Sequence, residues 1–198
     1  MKKVFVVILL SITIVSFSQE YQYQTSIKLD SLIWTKINEY RASDSAILYG
    51  NWVPNVIKVF ALGDWREFAY DISIKHSKAK DIFVNGHTDP EELASRGITG
   101  ENLAMHWYHI KETDLTDEAT LDRIATAIVV GWINSHWHKV VLRWMNNEES
   151  CVTSVITKQP RILDKYGEYG GEDYYYQIMI TYQTKDNDQA WKLPPNEK

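Results

Sequence analysis

Two histidines flank a tryptophan in the stretch GWINSHWHKVVL, residues 131–142. A histidine buried in an apolar interior needs a hydrogen-bond partner, a metal or a substrate, because an unsatisfied polar group there costs about 1–3 kcal/mol. Two positions apart on a helix, side chains point about 200 degrees away from each other. Because the stretch follows a run with helical periodicity, we expect one of His136 and His138 to face inward and the other to face solvent.

A glutamate stands between a glycine and an asparagine in GENLA, residues 100–104. Held in that position, Glu101 could orient a histidine or act as a general base, since carboxylates commonly pair with imidazoles. It could equally be a loop carboxylate that caps neighbouring backbone N–H groups. Spacing alone favours the capping role.

Other candidate sites for chemistry are weaker. His106 and His109, three positions apart, would share a helix face and could chelate a metal if a third ligand arrived, but no glutamate has zinc-protease spacing beside them. Ser135 lies three residues before His138, yet the chain has no G-x-S-x-G nucleophile motif. Cys151 is the only cysteine, so no intrachain disulfide can form, and a buried apolar role is favoured for it.

The first residues, MKKVFVVILLSITIVSFS, predict a secretory signal peptide over 1–18, either cut near Ser18 or retained as an uncleaved tether. The apolar run is shorter than the roughly 20 residues that a membrane-spanning helix needs, and no comparable run follows. We therefore expect a secreted, periplasmic or envelope protein without a stable membrane span after signal removal. The net charge of −5 argues against binding to nucleic acid through bulk electrostatics.

Hydrophobic periodicity predicts a single domain over 29–184, between a polar leader at 19–28 and a polar tail at 185–198. Amphipathic helices are expected over 29–41 and 64–83, and a third, more buried helix extends to Ser135, with Thr116 as its expected N-terminal cap. The segment from His87 to Ile110 is expected to be a long ordered loop or a short-helix segment, because Pro90, Gly97 and Gly100 interrupt it. Two antiparallel strands are expected over 150–158 and 173–184.

Four pieces of the chain together resemble one known family. In order they are INEYRA at 37–42, GHTD to GENLA at 86–104, W-x-x-S-x-x-H-x-x-x-L at 132–142 and YYYQIMITY at 174–182. The ordered set resembles the CAP superfamily, also called the SCP-like extracellular domain, in its bacterial branch. The resemblance extends from about Leu29 to Tyr182.

This resemblance implies an α+β fold, a three-layer α-β-α sandwich with a central antiparallel sheet and a surface cleft. Matched residue by residue, His87 and His138 are the two cleft histidines and Glu101 is the cleft glutamate, with Asn102 and Ser135 beside them. Ser135 replaces the second glutamate of animal members, as is usual in the bacterial branch, and His136-Trp137 replaces a Pro-Gly pair. The segment after Leu103 is expected to shape the cleft rim through Trp107, Tyr108 and His109.

Three functions remain open on the sequence. The resemblance favours a non-enzymatic binding module that holds a lipid, glycan or protein ligand and requires no cofactor. Alternatively, His87 and His138 hold a divalent metal such as zinc, with Glu101 as the base of a hydrolase acting on peptide or cell-wall material. In the third, the histidines and Glu101 form a structural polar network that pins the long loop to the third helix.

Overall fold

The structure is a computed structural model that describes residues 23–43, 46, 57–78, 86–143, 147–159 and 174–186. The predicted signal peptide and the tail beyond Asp186 lie outside the described residues. The described chain forms five strands and five α-helices, with one short 3-10 helix. In chain order these are β1 Tyr23–Gln24, α1 Ile27–Arg41, β2 Val59–Phe60, α2 Asp64–Lys78, α3 Pro90–Ser95, β3 Gly100–Ile110, the 3-10 helix Glu112–Leu115, α4 Glu118–Asn134, α5 His136–Arg143, β4 Asn147–Gln159 and β5 Tyr174–Asp186.

The strands form one sheet in the order β1-β4-β5-β3, and β2 pairs with β4 as well. The three long strands β3, β4 and β5 are antiparallel, as are β1 and β4, whereas the two-residue β2 runs parallel to β4. The predicted antiparallel pair near the C-terminus is therefore confirmed. Glu101 lies opposite Gln183 in the register between β3 and β5.

Helices pack on both faces of this sheet. On one face α1, α4 and α5 share a core with the long strands, which includes Ile33, Ile128, Leu142 and Ile178. On the other face α2 packs through Phe68 and Ile72 against a second apolar cluster. The expected α+β fold with helices on either side of a central sheet is confirmed.

Local capping sets where the helices begin. Ser26 caps α1 by accepting a hydrogen bond from the backbone N–H of Leu29 at 3.2 Å. Asp117, not the predicted Thr116, caps α4 by accepting from the N–H of Thr120 at 2.8 Å. Both residues satisfy one of the N–H groups that the first helical turn leaves without a partner.

The segment after Gly100 differs from the prediction, because it is the 11-residue strand β3 and not a loop. Its first residues, GEN, are typical of a turn, but tertiary pairing with β5 outweighs that local preference. The predicted shared face of His106 and His109 is therefore wrong, since residues three apart on a strand lie on opposite faces.

The two ends of the domain also differ from the prediction. Residues 23–28, predicted within a leader, provide β1 and the start of α1, and β5 extends to Asp186 into the predicted tail. The predicted end of the second helix at Phe83 lies outside the described residues, which show α2 as far as Lys78. In the part of the chain that the structure describes, no helix combines the length and apolarity needed to cross a membrane.

Candidate functional site

The centre of the site is the carboxylate of Glu101, which lies near the start of β3. Three hydrogen bonds of 2.9 Å reach it: from the backbone N–H and the hydroxyl of Thr88, and from the side-chain amide of Gln183. The side chain is only 1% exposed. The register between β3 and β5 places Gln183 directly opposite Glu101, so one of the three donors comes from the neighbouring strand.

These donors keep Glu101 ionised. Burial by itself raises the pKa of the carboxyl, but hydrogen bonds from His87, Thr88 and Gln183 outweigh it and hold the pKa below its usual value. Both oxygens already accept hydrogen bonds. Such a carboxylate is suited to orienting its neighbours and poorly suited to taking a proton from a substrate.

His87 is the neighbour that Glu101 orients. The Nδ1 atom of His87 lies 3.3 Å from Oε1 of Glu101, and the His87 side chain is 53% exposed. Because the carboxylate only accepts, this contact assigns a proton to Nδ1. The other ring nitrogen, Nε2, is on the far side of the imidazole and carries a lone pair in the neutral form.

His138 completes a pair of imidazoles. Its ring lies 6.3 Å from that of His87, centroid to centroid, in an edge-on arrangement. Burial lowers the pKa of His138, and the proximity of His87 adds to that effect, so the ring is neutral at pH 7. His136 is exposed whereas His138 is partly buried, which confirms the expectation that the two face opposite sides of a helix.

Asn102 and Ser135 hold α5 in place. The side-chain amide of Asn102 donates to the carbonyl of His138 at 3.0 Å. Ser135 is the extended residue between α4 and α5: its N–H donates to the carbonyls of Gly131 and Trp132, and its carbonyl accepts from the N–H of Lys139. Ser135 therefore ends one helix and begins the next, and so determines where His138 projects.

The structure adds one histidine that sequence reasoning did not single out for the site. His76 lies on α2 and is buried, and burial lowers its pKa while the negative charge of Glu101 acts in the opposite direction. Among the described residues, no partner reaches its Nδ1 atom. The signal in the sequence was a lone histidine on the apolar face of a helix, but the proximity of His76 to Glu101 results from the tertiary fold.

The residues expected at the rim lie elsewhere on β3. Trp107 and Tyr108 are six and seven positions beyond Glu101, about 20 Å along an extended strand. The side chain of His109 lies outside the described part of the chain. The aromatic residue adjacent to the histidine pair in sequence is Trp137, which is 78% exposed and contacts the ring of His136 edge-on at 5.1 Å.

The described residues contain no group of three or more histidine, cysteine, aspartate or glutamate side chains arranged to hold a metal ion. The carboxylate of Glu101 is engaged by protein donors. A metal at this site would therefore have two imidazole nitrogens from His87 and His138, and its other ligands would come from solvent or from a bound molecule.

Comparisons with known proteins give little further information. No family model and no curated protein matches this chain. One solved structure that resembles it is an outer surface protein from Borrelia burgdorferi, with 12% sequence identity and a TM-score of 0.46 over 84% of this chain and 98% of that chain. A likeness of this degree carries no argument about function.

Proposed function

We propose that this chain is a secreted or envelope binding module of the CAP type, and that it holds a lipid, glycan or protein ligand at the pair His87 and His138 without catalysing a reaction. The observation that supports binding over catalysis is the saturated carboxylate of Glu101. The predicted signal segment supports export. The order of the four motifs supports the CAP assignment.

The hydrogen bonds that already occupy the carboxylate of Glu101 distinguish between the functions left open by the sequence. A general base needs a free lone pair aimed at the proton that it removes, and a pKa near the working pH. Glu101 has neither, because four polar groups surround its oxygens and its pKa is lowered. His87, in contrast, is half exposed, so a purely structural network does not account for it.

Among the three ligand classes, we favour a glycan, because an exposed indole lies on the same short helix as His138. Trp137 presents a largely exposed indole next to His138 in sequence. An indole offers an apolar face for a sugar ring, and the neutral imidazole of His138 can both donate to and accept from hydroxyl groups.

A metal site is the second candidate, and one contact favours it. In metal centres, a carboxylate commonly accepts from the distal N–H of a ligating histidine and so directs the other nitrogen to the metal. Glu101 and His87 have this arrangement, with His138 alongside. The contact supports metal binding, but not hydrolysis with Glu101 as the base.

The test uses the chain without residues 1–18, stripped of metal, and titrates it by calorimetry with zinc and, separately, with soluble cell-wall glycan fragments. The variants are His87→Ala/His138→Ala, which removes both rings, and His136→Ala, which removes the exposed ring on the same helix. We expect glycan binding in the parent and in His136→Ala, and loss of binding in the double variant.

The other outcomes distinguish the candidates. Zinc binding at micromolar or tighter affinity, lost only in the double variant, would establish the metal site. Unchanged glycan binding in the double variant would show that the histidines are not the binding site. If the double variant mainly melts at a lower temperature and neither titrant binds the parent, the histidines are structural.

A further inference from the structure

The two edges of the sheet differ in whether their outward backbone groups have hydrogen-bond partners among the described residues. Along β4, the outer backbone groups have partners: β1 pairs at Ile156 and Thr157, the carboxylate of Asp30 accepts from the N–H of Ser154 at 2.7 Å, and the N–H of Ala61 donates to the carbonyl of Ser150 at 2.8 Å. Contacts along that edge therefore protect it at several points, as natural sheets require to avoid unwanted strand pairing.

The pairing pattern shows which residues of β3 face the opposite edge. On β4, the backbone groups of Ser150 and Ser154 point away from β5. The backbone groups of the odd-numbered residues of β4 therefore point toward β5, where they bond to odd-numbered residues. The even-numbered residues of β5 then bond to the even-numbered residues of β3. The odd-numbered residues of β3 must therefore direct their N–H and C=O groups outward. The indole of Trp132 confirms this, because it donates to the outward carbonyl of Leu103 at 3.2 Å.

Beyond Leu103, the described part of the chain leaves the outer edge of β3 open. Among the described residues, no group bonds to the outward backbone atoms of Met105, Trp107 or His109. Trp107 is 47% exposed, although it lies within the sheet. The sequence has no charged residue and no proline between Glu101 and Lys111. Each of these residue types would discourage pairing with another strand.

We propose that the outer edge of β3, from Met105 to His109, pairs antiparallel with the same edge of a second copy of this chain. A two-fold axis through Trp107 would place the two indoles side by side, and Met105 of each copy opposite His109 of the other. The absence of charge suits self-pairing in particular, because a charged side chain near a two-fold axis would lie beside an identical charge. In self-pairing each side chain near the axis meets its own equivalent, so an uncharged segment meets no repulsion.

The test measures self-association by sedimentation velocity over a range of concentrations, using the chain without residues 1–18. Trp107→Lys places two like charges together at the axis. His109→Pro removes an outward N–H without removing a bond to β5. The matched control is Val130→Lys, because Val130 is also 47% exposed and lies on helix α4, not on β3.

We expect a concentration-dependent dimer in the parent and in Val130→Lys, and at least about tenfold weaker dimerisation in both edge variants. Circular dichroism of each variant checks that the fold is retained. In addition, the amide hydrogens of Met105, Trp107 and His109 should exchange more slowly as the parent concentration rises.

A parent that stays monomeric at about 100 micromolar would overturn the proposal. A dimer that persists in both folded edge variants, or that shows no concentration-dependent protection at these three amides, would place the contact elsewhere. Binding of an unrelated extended peptide at the edge of a monomeric parent would assign the edge to a foreign strand instead.

Discussion

At the scale of single residues, the site depends on the buried negative charge of Glu101. On folding, this carboxylate loses its hydrogen bonds with water and accepts hydrogen bonds from Thr88, Gln183 and His87. Hydrogen bonds to a charged group are stronger than those between neutral groups. Removing the charge while keeping the shape therefore tests how much this arrangement contributes to stability.

Glu101→Gln is expected to lower the free energy of unfolding by about 1–3 kcal/mol. In either amide orientation its NH₂ group faces donors, because each carboxylate oxygen accepts from protein groups. Urea denaturation measures the change, with Glu118→Gln as the control because Glu118 is exposed and makes only a surface ion pair. Equal stabilities for Glu101→Gln and the parent would show that the donors can be rearranged without cost.

Asp30 is a second buried carboxyl, and it responds to pH in the opposite direction from Glu101. Burial raises its pKa from 3.8 to about 7, despite the opposing contacts with Ser154 and Arg66. The folded chain thus binds this proton more tightly than the unfolded chain between about pH 4 and 7. Across that window, the contribution of Asp30 to the free energy of unfolding falls as pH rises.

Histidines with lowered pKa values, such as His76 and His138, oppose this trend, because they contribute stability that increases with pH. Comparison with Asp30→Asn cancels their effect. We expect the stability of the parent, relative to Asp30→Asn, to decrease between pH 5 and pH 7.5 in chemical denaturation. A constant difference would mean that Asp30 stays ionised throughout, held by Arg66.

At the scale of elements, α5 is a short helix that presents His138, and two contacts fix it from outside. Asn102 donates to the carbonyl of His138, and the guanidinium of the buried Arg41 donates to the carbonyl of Leu142 at 2.6 Å. An isolated helix of eight residues is unstable in water, so these tertiary contacts determine whether it forms.

Asn102→Ala is expected to speed hydrogen exchange of the amides in α5, from His136 to Arg143, while leaving exchange in α3 unchanged. The reason is that the carbonyl of His138 loses its donor from β3. Mass spectrometry of the peptides covering both helices measures this. Uniform acceleration across the chain would instead indicate a global loss of stability.

Features that depend on contacts between residues close in sequence can be predicted from the sequence, whereas features that depend on distant contacts cannot. The sequence predicts helices α1 and α4 well, because their apolar periodicity is local, but it does not identify their caps, Ser26 and Asp117. It does not predict β3, because Glu101 and Asn102 are buried polar residues whose partners arrive from elsewhere. The grouping of His87, Glu101 and His138 comes from the family resemblance, whereas Gln183 and His76 lie far from Glu101 in sequence and can be placed only by the fold.

At the scale of the whole molecule, the two proposals occupy different ends of one strand. Glu101 lies near the start of β3, and the open edge is centred on Trp107, about 20 Å further along. Substitutions separated by more than about 10 Å without shared partners generally act independently. The monomer surface at the histidine pair should therefore be the same with or without a paired edge.

This separation gives the last prediction. Trp107→Lys should titrate with zinc and with glycan fragments with the same affinity as the parent, and His87→Ala/His138→Ala should dimerise as the parent does. Calorimetry and sedimentation velocity on both proteins measure the four quantities. If Trp107→Lys weakens binding at the histidines, either the dimer shapes the cleft or Trp107 acts as a rim residue within the single chain. Titration at concentrations below the dimer dissociation constant separates these causes, because only a dimer effect disappears on dilution.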